Sequence, residues 1–288
     1  MDTPFPPFEP DEGQAATRLR DVPIRQLIPN IITLLAICAG LTAIRFGFEG
    51  KMDLAIAAVT LAAVLDGVDG RVARFLKSTS RFGAEMDSLA DFLNFGVTPA
   101  ILLYFSHLHT IKTFGWIAVL IYCICACLRL ARFNVQLDNP NQPKWKKNFF
   151  VGAPAPAGAI VVMLPIYVDL LGLPQSELLD FAILIYVVLI GLLLVSNVPT
   201  YSGKNLGSAI PRNLVLPLII ALIVIGSLLI SYPWQLLITA SVGYLVAIPF
   251  GLKYYKSLEI KALNSVEVEN QKPARKKAPL KKATKPKN

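Results

Sequence analysis

Apolar stretches of about 20 residues recur along the chain, and polar residues collect in the short intervals between them. A helix rises about 1.5 Å per residue, so each stretch is long enough to cross a ~30 Å hydrocarbon core. The pattern predicts helices over residues 27–46, 52–74, 84–105, 114–133, 151–172, 179–199, 213–231 and 233–251. The fold class is therefore an all-α integral membrane protein with about eight transmembrane helices. The second and third spans are the least hydrophobic, because they carry carboxylates.

Composition supports this reading. Of 288 residues, 54% are hydrophobic and only 16% charged, too little charge for a soluble domain of this length. Basic residues fall on alternate intervals. Arg18, Arg20 and Arg25 precede the first span, and Arg71, Arg74, Lys77 and Arg81 lie between the second and third. Arg129, Arg132, Lys144, Lys146 and Lys147 lie between the fourth and fifth, and Lys204 and Arg212 between the sixth and seventh. The other loops hold little beyond Lys51 and Lys112. That asymmetry places both termini and the Asp66–Asp91 side in the cytoplasm. No signal peptide is visible in the acidic, Pro-rich start.

Three regions follow: a juxtamembrane segment 1–26, a transmembrane domain 27–252, and a basic tail 253–288 that cannot form a core. The tail, ending QKPARKKAPLKKATKPKN, supplies much of the net charge of +9. It reads as a solubilising extension or as a contact for anionic headgroups. Nucleic acid is not the partner that this charge implies.

The chemistry concentrates between Asp66 and Asp91. Asp66 and Asp69 end one apolar run, and Asp87 and Asp91 open the next. An ionisable residue near the centre of a membrane helix costs roughly 2.5–3.5 kcal/mol. On helices, Asp66, Asp69, Gly70 and Ala73 share one face, and Gly83, Asp87 and Asp91 share another. The short connection turns the chain back, so the two faces are expected to meet as an antiparallel pair. Gly67, Gly70, Ala73, Gly83 and Ala84 are small enough for close backbones and for something between them. Oxygen ligands without His or Cys suit a hard cation such as Mg²⁺ or Mn²⁺. Four carboxylates can hold two such ions if phosphate or water adds further oxygens, the arrangement that clamps attacking and leaving oxygens in phosphoryl displacement. Arg74, one turn beyond Gly70, continues the face as a phosphate contact.

Cys38, Cys123, Cys125 and Cys127 lie within apolar spans and read as small buried hydrophobes. His107 and His109, at an outer loop, read as ordinary interface polarity.

The segment Asp66-x-x-Asp69-Gly70-x-x-Ala73-Arg74, eight residues, then Gly83-x-x-x-Asp87-x-x-x-Asp91 resembles the signature of the CDP-alcohol phosphatidyltransferase family at every fixed position. The resemblance implies a bundle of that family in a bacterial cell (inner) membrane, displacing CMP from a CDP-linked lipid by an alcohol. It implies Asp66, Asp69, Asp87 and Asp91 as metal ligands, with Asp91 also taking the proton of the attacking hydroxyl. Gly70, Ala73, Arg74 and Ser80 would surround the CDP headgroup, and Pro29, Asn30 and Thr33 in PNIIT would join them. A homodimer is implied as well.

The flanking blocks FGAEMDSLADFLNFGVTPA, RLARFN, FFVGAPAPAGA and LLVSNVPTYSGK are similar to the phosphatidylserine synthase branch of that family. This implies CDP-diacylglycerol and L-serine as substrates. A zwitterionic acceptor needs a cationic or amide partner for its carboxylate and an oxygen partner for its amine. Arg129, Arg132, Asn134, Ser196 and Lys204 qualify, although positive-inside charge explains Arg and Lys equally. Asn94, one turn past Asp91, serves either the headgroup pocket or a helix–helix hydrogen bond. A sibling transferase using choline, glycerol 3-phosphate or inositol phosphate is the alternative. A divalent-cation transporter is a third reading, disfavoured because no second copy of the Asp motif exists.

Overall fold

The apolar runs fold as helices in the computed structural model, which describes residues 24–76, 78, 80–137, 149–172, 176–196, 199–201 and 212–251. The order is α1 (Ile24–Phe48), α2 (Met52–Phe75), α3 (Arg81–Asp91), a π-helical stretch (Phe92–Val97), α4 (Thr98–Ser106), a 3-10 turn (Leu108–Ile111) and α5 (Thr113–Leu137). Then come β1 (Phe149–Val151), α6 (Ala155–Val162), α7 (Leu164–Asp169), α8 (Glu177–Val195), β2 (Pro199–Tyr201), α9 (Arg212–Ser231) and α10 (Pro233–Gly251). The two strands pair antiparallel, Phe149 opposite Tyr201 and Val151 opposite Pro199. The segments 1–23 and 252–288 lie outside the described residues, and so does Lys204.

Among the described residues, five helices are long and apolar enough to span a membrane: Leu27–Phe48, Arg81–Ser106, Thr113–Val135, Leu178–Val195 and Pro233–Gly251. Leu34, Leu41, Leu61, Ile124, Leu128 and Leu189 lie exposed on helix surfaces. Such a surface suits lipid and would aggregate in water. This is a multi-pass membrane protein. Of the other expected spans, α2 is long enough but interrupted by charge, and the apolar part of α9 is shorter.

The expected fifth span, 151–172, is not one helix. It starts as a strand and breaks between α6 and α7. The cause is Pro165, which has no N–H to donate to the Val161 carbonyl four residues back. Tyr186 on α8 fills the gap, its hydroxyl donating to Val161 O at 2.6 Å. The neighbouring Ile160 carbonyl has Ser241 Oγ of α10 at 3.2 Å.

The same device recurs after Asp91. Pro99 cannot donate to Phe95 O, and there the helix runs through its π-helical stretch. Tyr122, fully buried on α5, donates its hydroxyl to Phe95 O at 3.2 Å. A broken helix is tolerated in lipid only where neighbours satisfy the freed groups. Tyr122→Phe is therefore expected to cost about 1–2 kcal/mol, read as a lower thermal midpoint in detergent. Tyr232→Phe, at an exposed position, should leave it unchanged.

The core gathers Ile56 and Val59 of α2, Leu102 and Leu103 of α4, Val119 and Tyr122 of α5, and Val187, Ile190 and Leu194 of α8. The cysteine expectation holds only in part: Cys125 is buried, but Cys38 and Cys127 are exposed. Gly50, in the α1–α2 turn, takes φ +75°, and Gly152, after β1, takes φ +81° with the Leu194 carbonyl against it. A side chain at Gly152 would be both strained and blocked.

Candidate functional site

The carboxylates come together, but not through the expected seam. α2 packs chiefly on α1, and α3 also leans on α1, so α2 and α3 meet through their acidic side chains rather than an interlocked backbone pair. The glycines show why. Gly67 and Gly70 face open space, whereas Gly83 brings α3 against Asn30 of α1.

One oxygen from each of Asp66, Asp69 and Asp87 lies within 4.8 Å of the others. That is about the spread of donors around one hard cation with oxygen ligands at roughly 2.0–2.6 Å. Asp91 stands beside this triad, its carboxyl within hydrogen-bonding reach of Asp66. Two carboxyls in contact need a proton or a cation between them. The donor set, all oxygen with no His or Cys, fits a hard divalent ion.

Asp69 is the buried member, held by neighbours on two helices. Thr33 Oγ1 of α1 donates to its Oδ2 at 2.7 Å, and the Gly70 N–H donates to its Oδ1. Because the hydroxyl orients Asp69, Thr33→Val is expected to weaken Mn²⁺ binding about 10-fold or more. Titration of the purified protein with Mn²⁺ checks this.

Beside the triad opens a cleft of about 270 Å³. Every residue expected around the CDP headgroup lines it: Pro29, Asn30 and Thr33 from α1, Gly70, Ala73 and Arg74 from α2, and Ser80 before α3. Asp69, Asp87, Gly83 and Ala84 complete its acidic and small-residue walls. Ser80 caps α3, accepting from Gly83 N at 3.0 Å. Arg74 Nε donates to the Gly70 carbonyl at 3.0 Å, and the side chain stays exposed at the cleft. Ser78, also in the lining, carried no sequence signal, since it belongs to no motif and is brought in only by the turn.

The expected acceptor residues are dispersed. Arg129 Nε donates to Ala153 O at 3.0 Å, and its charge also acts on Asp91. Arg132 donates to Val195 O at 2.8 Å, which ties α5 to the end of α8 beside Ser196. Asn134 Nδ2 donates to Ser88 Oγ at 3.0 Å. Ser88, between Asp87 and Asp91, was missed because no pattern singles out a serine there. Asn94 is buried against Gly40 of α1, and its side-chain amide has no partner among the described residues. It does not line the cleft.

The CDP-alcohol phosphatidyltransferase family model matches residues 26–196, more than half of the chain and the whole carboxylate site. The chain belongs to the CDP-alcohol phosphatidyltransferase family. A second model, CDP-alcohol phosphatidyltransferase 2, matches residues 213–249. Among curated relatives, the chain is 41% identical over 227 residues to a CDP-diacylglycerol–serine O-phosphatidyltransferase of Mycobacterium leprae, covering 79% of this chain and 75% of the relative. It is 39% identical over 258 residues to the protein of that name in Mycobacterium tuberculosis, covering 88% and 86%. A Methanocaldococcus jannaschii protein of the same name is 35% identical over 179 residues, covering 62% and 76%. Family membership and the carboxylate group together point to divalent metal use.

Proposed function

We propose that this chain transfers the phosphatidyl group of CDP-diacylglycerol to the hydroxyl of L-serine, giving phosphatidylserine and CMP. The observation that carries the reading is the meeting of Asp66, Asp69 and Asp87 at the edge of a cleft walled by α1, α2 and the start of α3. The relatives' shared name supports serine as the acceptor.

Asp66, Asp69 and Asp87 would hold the metal. A divalent ion there, Mg²⁺ or Mn²⁺ and two in number on the four-carboxylate reading, supplies charge neutralisation for the pyrophosphate and the departing CMP. Arg74 meets phosphate oxygens at the mouth, and Asn30 and Ser80 face the nucleotide side. Asp91 accepts the serine hydroxyl proton as the serine oxygen bonds to the phosphorus that carries diacylglycerol. The bond from that phosphorus to the bridging oxygen breaks, and CMP leaves with the electron pair. Arg129, beside Asp91, is the cation best placed for the serine carboxylate, since its Nε bond to Ala153 leaves the outer guanidinium nitrogens available to it. Arg132, Asn134 and Ser196 shape the same end of the bundle. We place the cleft on the cytoplasmic face of the cell membrane, from the basic loops, and the chain in a homodimer.

The test supplies purified protein with CDP-diacylglycerol and Mn²⁺ or Mg²⁺, then serine, choline, glycerol 3-phosphate or inositol phosphate separately. CMP release with serine alone is expected, and release only with another alcohol would reject the reading. Direct attack also predicts inversion at a chiral phosphorus, whereas retention would indicate a covalent enzyme–lipid intermediate.

A further inference from the structure

The Arg129 guanidinium is oriented from more than one helix. Its Nε donates to Ala153 O at 3.0 Å, and its central carbon lies 5.7 Å from the centre of the Phe133 ring, one turn further along α5. Those contacts fix one edge and one face of the fork. A guanidinium carries five N–H donors. Ala153 takes one, and a carboxylate seated across the two outer nitrogens takes two more. Two donors then remain for neighbours other than substrate.

α10 brings such a neighbour. It docks on α6 through Ser241, which is fully buried with its Oγ 3.2 Å from Ile160 O. Tyr244 follows Ser241 by one turn. Its ring packs against the core, and its hydroxyl oxygen is buried. Tyr244 and Asp91 both lie within electrostatic reach of Arg129. Arg has donors and no acceptor, so a hydroxyl beside it turns its lone pairs to the cation. Burial keeps substrate from the Tyr244 oxygen, which leaves Arg129 as the group through which it can act.

We propose that Tyr244 is a positioning residue for the acceptor alcohol: its hydroxyl accepts from an outer nitrogen of Arg129 and so fixes the direction in which the remaining donors meet the serine carboxylate. The proposal rests on Arg129 meeting that carboxylate, as proposed above. It brings α10 into a site whose four carboxylates all come from α2 and α3.

The test measures initial rates of CMP release by the purified full chain over a range of serine concentrations, with CDP-diacylglycerol and Mn²⁺ saturating. Tyr244→Phe keeps the packed ring and removes only the hydroxyl. It is expected to raise KM for serine roughly three- to tenfold, the effect of one hydrogen bond to a charged group. The kcat and the KM for CDP-diacylglycerol should stay within about twofold, because binding of the acceptor alone is weakened. Arg129→Gln should raise KM for serine at least as far, and adding Tyr244→Phe to it should change KM no further. Such non-additivity is the mark of one residue acting through another, and loosened packing would not produce it. Arg129→Lys keeps the charge and carries the same cycle if the glutamine variant does not fold. Effects that add in the double variant overturn the proposal, and so does a fall in kcat with both KM values raised together. An unchanged KM in Tyr244→Phe beside a raised one in Arg129→Gln overturns it while leaving Arg129 on the carboxylate. An unchanged KM in Arg129→Gln removes Arg129 from the carboxylate and the proposal with it.

Discussion

Asp91→Asn is expected to lower CMP release roughly 10²- to 10⁴-fold, the range for loss of a general base, while CDP-diacylglycerol still binds. The amide matches the carboxylate in shape but cannot take the serine proton. The geometry sharpens this expectation. Asp91 lies outside the three-carboxylate group, within hydrogen-bonding reach of Asp66 and in the field of Arg129. On the proposed mechanism the proton acceptor would thus stand outside the group of three carboxylates that would hold the first metal ion. CMP release under saturating serine and Mn²⁺, with CDP-lipid binding measured in parallel, checks the split. Near-normal turnover would remove Asp91 from the role of base.

Asp69→Asn should fail in a different way. Asp69 is the buried carboxylate, fixed by Thr33 and by the Gly70 N–H, and it faces both the triad and the cleft. Losing its charge removes a metal ligand and a wall of the nucleotide site together. Turnover is expected to fall roughly 10²- to 10³-fold, with weaker Mn²⁺ binding and weaker CDP-lipid binding alongside it. Titrations of metal and of CDP-lipid on the purified variant read both. A loss of turnover with metal affinity unchanged would move Asp69 out of the ligand set.

The two variants separate roles that the motif presents as one string of aspartates. In the sequence, four-residue steps show which carboxylates share a helical face, because helical period is a local property. They do not show how far apart two helices stand. The expected α2–α3 seam is replaced by packing on α1, which supplies Thr33 to Asp69 and Asn30 against Gly83. Ser78 reaches the cleft by the path of the turn, and Ser88 meets Asn134 of α5 through a side-chain hydrogen bond, neither of which is a spacing in the chain. His107 was misjudged for the same reason. Its burial depends on Asp180, 73 residues away.

From the sequence alone came the membrane-spanning character and the acidic group, and from the family resemblance most of the residues that wall the cleft. Each is written in local order, as run length, helical period or motif spacing. The tertiary structure decided which carboxylates stand within reach of one another and that Asp91 stands beside them. It also decided that the carbonyls freed by Pro99 and Pro165 are satisfied, because Tyr122 and Tyr186 supply the missing donors. Those are meetings between distant segments. In lipid they are enforced by the cost of every backbone carbonyl left without a hydrogen bond.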